Sequence, residues 1–144
     1  GRKFNEFTPD QFGVQGTFNI QTVNGTFLKA HPDAVQDFLR AELRAYYYCA
    51  EHQSECVDIL AGYAKDSGTA FKSDLAKQEW ALVVKLVSES TPGGKGVGYQ
   101  SPEAWQNEAD ATQKVNNVHL PEMSTYQNTA LVAGIYDGAS LIWP

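Results

Sequence analysis

The chain has 144 residues and a formal net charge of −6, with 42% apolar and 19% charged residues. That length suits one domain with a core of its own, and the ordinary apolar content argues against disorder. The acid excess argues against a general nucleic-acid binder, which usually carries a basic stripe, and equally against an anionic membrane surface, while no apolar run approaches the roughly 20 residues of a membrane span.

The chain begins at Gly1 rather than Met and shows no signal-peptide pattern, which reads as a processed or truncated start. Residues 1–11 are polar apart from Phe4 and Phe7 and read as a lead-in. From Phe12 to Val23 the pattern changes. Phe12, Val14, Phe18, Ile20 and Val23 interleave with Gln15, Thr17, Asn19 and Gln21, an alternation that predicts a strand. Gly13 and Gly16 mark a bend or a close backbone approach within it. Asn24 reads as the cap of a short helical turn, and Asn24-Gly25-Thr26 also fits the glycosylation acceptor pattern.

Two consecutive helices dominate the next stretch, to Ala64. His31-Pro32-Asp33 opens the first, with proline where its missing N–H costs nothing and an acid at the positive end of the dipole. Val35, Leu39, Leu43, Tyr46 and Ala50 then recur at helical spacing, with Phe38 and Ala45 beside them. His52-Gln53-Ser54-Glu55 repeats the opening without the proline, and Val57, Leu60, Ala61 and Ala64 form the second apolar face. Gly68 offers a C-terminal stop. Cys49 and Cys56 lie seven apart and face each other if the helices meet in a tight corner. Two readings stand: a disulfide in an oxidising compartment, or two small side chains packed together. The spacing is not that of a metal motif.

A third helix spans about Ser73 to Ser88. Leu75, Ala76, Trp80, Val83, Val84 and Val87 form its apolar face, Leu82 and Leu86 widen it, and a face that wide implies burial on more than one side. The run Pro92-Gly93-Gly94-Lys95-Gly96-Val97-Gly98 is a loop, read as a flexible connector that could still line a cleft. Ser101-Pro102-Glu103 opens a helix to about Lys114, with Ala104, Trp105 and Ala109 on its apolar side. A last helix is predicted from about Ser124 to Tyr136, stopped by Asp137-Gly138, and Leu141 to Pro144 form an apolar tail that must dock. The fold class expected is therefore predominantly helical: one N-terminal strand, then about five helices, in a single or partial domain.

Catalytic chemistry finds no support in the residues. The glycine loop fails the phosphate-loop pattern, because Gly94-Lys95 is followed by Gly96 and the loop follows a helix rather than a strand. His31, His52 and His119 have no metal-ligand spacing, and neither a nucleophile elbow nor a zincin motif occurs. Tyr46-Tyr47-Tyr48 points three ways around a helix and reads as packing. No enzyme, no cofactor and no metal is expected.

The stretch FGVQGTFNIQTVNGTFLKAHPDAVQDFLRAELRAYYYCAEHQSECVDIL resembles the NMT1/THI5-like group of ABC-transporter substrate-binding proteins, a branch of the type 2 periplasmic binding proteins. The Trp80 helix, Gly98, Trp105 and the ending NTALVAGIYDGASLIWP extend the likeness over residues 12–144. The resemblance implies the C-terminal portion of a two-lobe α/β protein, the strand being a crossover between lobes. It implies a small solute (nitrate, sulfonate, taurine or a thiamine-pyrimidine precursor), delivery to a transporter permease, and a periplasmic or otherwise extracytoplasmic location. It places Gln15, Thr17, Phe18, Tyr99 and Trp105 near the ligand cleft. The Cys-rich motif of relatives that synthesise the pyrimidine has no counterpart here. The alternative is a stand-alone helical module derived from that fold, without a transport role, self-associating through its unpaired strand or its C-terminal tail.

Overall fold

Asn24 starts the succession of helices. Its Oδ1 accepts from the backbone N–H groups of Thr26 (2.9 Å) and Phe27 (3.2 Å), and so caps α1 (Gly25–Ala30). A computed structural model describes residues 3–13 and 20–143. After α1 come α2 (Pro32–Glu51), α3 (Gln53–Asp66), α4 (Ser73–Ser90), α5 (Pro102–Asn116) and α6 (Thr129–Ala133). A two-stranded antiparallel hairpin closes the chain, with β1 (Tyr136–Asp137) paired to β2 (Ser140–Leu141). The molecule is predominantly helical, as its apolar periodicities require.

The helix ends follow from local chemistry. Pro32 occupies the first turn of α2 and Asp33 adds its acid, but His31 makes no side-chain cap. His52 ends α2 and starts α3, its carbonyl accepting from Cys56 N, but its side chain turns back to α2: Nδ1 donates to the Tyr48 carbonyl at 3.0 Å, and the ring stacks on Tyr48 at 4.2 Å. Gly68, at φ 68°, ends α3 in the left-handed conformation that favours glycine. Ser101 Oγ accepts from Ala104 N at 3.1 Å and opens α5.

The core is narrow. Val35 and Leu39 of α2 meet Ile135 and Tyr136 at the hairpin, with Leu28, Leu43, Tyr47, Leu131, Val132 and Leu141 packed around them. The disulfide Cys49–Cys56 fixes the α2–α3 corner, with its Cα atoms 5.7 Å apart. There Trp80 of α4 donates its indole N–H to the Cys49 carbonyl at 2.9 Å and meets Tyr46 edge-on at 5.7 Å. Gln53 donates to the Lys77 carbonyl, tying the start of α3 to α4.

Two expected elements differ. Of the strand expected over residues 12–23, residues 14–19 lie outside the described residues. Phe12 instead closes a 3-10 turn (Pro9–Phe12), and Ile20 to Val23 form no strand. The helix expected over 124–136 is broken into a 3-10 turn (Met123–Thr125), the short α6 and the hairpin. Asn128 is the cause: its side chain accepts from Ala130 N and starts a new helix there. Asp137, expected to help stop a helix, instead ends β1, and Gly138, at φ 61°, opens the two-residue hairpin turn Gly138-Ala139. The C-terminal tail docks on α2. Ile142 N donates to Ile135 O at 2.9 Å, and the Arg44 guanidinium sits 4.2 Å from the Trp143 ring centre.

Candidate functional site

The glycine loop, expected to be a flexible connector, is pinned. Val97 N donates to Tyr47 Oη at 3.2 Å, and Tyr136 Oη donates to Val97 O at 2.9 Å. The two hydroxyl oxygens are 3.4 Å apart. The donors close into a ring only if Tyr47 gives its own proton to Tyr136, so both polar groups of one residue are held by two phenols. Burial, and then the contact with Tyr47, push the Tyr136 hydroxyl well above the ordinary tyrosine range. A methyl group on Gly96 would lie 2.2 Å from the Tyr136 ring, so only glycine fits the approach of loop to ring.

Beside this clamp lies a notch of about 150 Å³, lined by Gly94, Lys95, Gly96, Tyr99, Val132 and Tyr136 among others. Lys95 Nζ stands 5.0 Å from the Tyr99 ring centre. The notch thus offers one cation, two tyrosine rings and glycine backbone. A second notch, of about 120 Å³, separates α5 from the segment after it and is lined by Trp105, Ala109, Leu120 and Tyr126 among others. Trp105 donates to Gln100 and its ring lies 6.4 Å from Tyr126.

The residues expected at a ligand cleft are therefore not all together. Tyr99 lines the first notch and Trp105 the second. Gln15, Thr17 and Phe18 lie outside the described residues. Sequence reasoning missed Tyr47 and Tyr136, whose bonds to Val97 span 50 and 39 residues. Among the described residues, no group of three or more His, Cys, Asp or Glu side chains could hold a metal ion, and no helix is long and apolar enough to cross a membrane.

The NMT1/THI5-like family matches residues 1–56, the part that carries α1, α2 and both cysteines. The chain is similar to that family over this stretch, against the residues 12–144 expected. No curated protein and no solved structure matches the chain.

Proposed function

We propose that the chain serves in binding a small solute, as part of an extracytoplasmic solute-binding protein that supplies an ABC importer, and that it performs no catalysis. The observation that carries this reading is the family match over residues 1–56, joined to a notch whose one cation and two tyrosines suit a small anion. Ligand pockets for drug-sized molecules run to about 300 Å³ or more, so a notch of about 150 Å³ favours the smaller solutes, nitrate or taurine, over a pyrimidine. Lys95 supplies the countercharge, Tyr99 encloses, and the Tyr47–Tyr136 clamp holds the loop at Val97.

Calorimetry of the purified chain against nitrate and taurine tests this reading. Saturable binding that Lys95→Ala abolishes supports it. No heat from either solute at millimolar concentration, with the chain shown folded by circular dichroism, would falsify it.

A further inference from the structure

The second notch, beside α5, has walls that are held in place. Trp105, Glu108, Ala109 and Thr112 fall at helical spacing and share one face of α5. Asn117, left-handed at φ 51°, ends the helix and turns the chain back. Gln113 then holds the returning segment twice. Its backbone carbonyl accepts from Val118 N at 3.2 Å, and its Oε1 accepts from Leu120 N at 3.0 Å. Leu120 and Tyr126 of that segment complete the lining. Buried Ala109 puts only a methyl group beside the open space of about 120 Å³. The indole N–H of Trp105 is tied to Gln100, which fixes the ring.

We infer that this notch binds a small alkylammonium cation. Among the described residues lining it, Glu108 is the charged one, and it is an acid. It stands half-buried on the covered face of α5, where packing alone would favour an apolar side chain. Glu108 already has a partner within the fold. A carboxylate offers about four lone-pair sites, so its charge still serves a ligand. Trp105 and Tyr126 supply the remaining attraction. Their ring centres are 6.4 Å apart and their planes are inclined at 56°. A cation seated in the angle between the planes falls within the roughly 6 Å reach of both rings. The space is well below the about 300 Å³ at which drug-sized pockets begin, and it suits a group the size of trimethylammonium. Glu108 repels an anion and gives a neutral apolar guest nothing. The net charge of −6 favours the approach of a cation. The first notch carries Lys95 and attracts the opposite sign, so this site does not depend on the solute reading.

Titration with tetramethylammonium, at constant ionic strength held with sodium chloride, tests the site. The readout is the indole N–H resonances of the nitrogen-15-labelled chain, assigned by single Trp→Phe replacements. The Trp105 resonance is expected to shift and saturate while those of Trp80 and Trp143 stay in place. Neutral tert-butanol, of similar size, is expected to leave all three unmoved. Glu108→Gln keeps the shape and removes the charge, and it is expected to weaken binding about fivefold or more. Tyr126→Leu, at a ring that is 44% exposed, is expected to weaken it about threefold through loss of one ring face. An unchanged circular dichroism spectrum shows that a variant is folded, and either folded variant suffices. A shift that does not saturate overturns the inference, as do equal shifts at all three indoles or an equal response to tert-butanol. So does a folded Glu108→Gln or Tyr126→Leu chain that binds as tightly as wild type.

Discussion

Two phenols and one glycine decide where the loop over residues 92–98 lies. Gly96→Ala drives a methyl into the Tyr136 ring, and overpacking of this kind costs about 1–3 kcal/mol. Gly93→Ala, where the added carbon meets open space and the backbone is not left-handed, is the matched control and should be nearly neutral. Urea midpoints for the two variants check the contrast. Tyr136 also sets an alkaline limit. Its hydroxyl titrates higher folded than unfolded, so its contribution is complete below pH ~10, the ordinary tyrosine value. It is lost as pH rises above that toward the folded value. Unfolding free energies at pH 8 and pH 11 should therefore fall less steeply in Tyr136→Phe than in wild type. At pH 8 the variant should itself be weaker by about 1–3 kcal/mol, because the Val97 carbonyl loses its donor. A fall of equal slope in both proteins would remove Tyr136 from the account.

Among the elements, the α2–α3 corner is the most tightly specified. Closing so short a loop by a disulfide is worth about 2.5 kcal/mol in the chain-entropy picture. The Cys49→Ser, Cys56→Ser double variant should lose roughly that much in urea unfolding, and added dithiol should then have no further effect. Thiol labelling of the unfolded, unreduced wild-type chain should find no free cysteine. This corner was also the most legible stretch of the sequence. Apolar spacing, Pro32 and the cysteine pair are all local signals, and they marked α2 and α3 nearly to the residue. The C-terminal third was read less well. Strands of two residues show no alternation to detect, and Asn128 restarts a helix inside what looked like one continuous pattern. In the site, Tyr99 was placed near a cleft by the family resemblance alone, and the structure sets it in the first notch. The clamp was not legible, because nothing local in Tyr46-Tyr47-Tyr48 says which ring will meet a hairpin 89 residues away.

At the scale of the whole molecule, burial is sparse. Among the described residues, Val35, Leu39, Val57, Ala109, Ile135 and Tyr136 are the buried apolar ones, and Ala109 stands apart from the cluster around Ile135. Since the denaturant m-value scales with the surface exposed on unfolding, the chain should show a urea m-value well below that of a compact 144-residue protein. A full-sized m-value would mean that the chain in solution is packed more tightly than its 10,760 Å² of surface allows.

The three tryptophans sit in three different surroundings. Trp80 rests on the carbonyl of a bonded cysteine, Trp105 lines the notch beside α5, and Trp143 lies under a guanidinium at the chain's end. Variants keeping one indole each turn the molecule into three local fluorimeters. The Trp80 variant reports reduction at the corner through relief of quenching by the neighbouring sulfurs. The Trp105 variant follows the notch beside α5, and the Trp143 variant follows undocking of the tail. Emission from the three during one denaturant titration resolves which part of the chain lets go first.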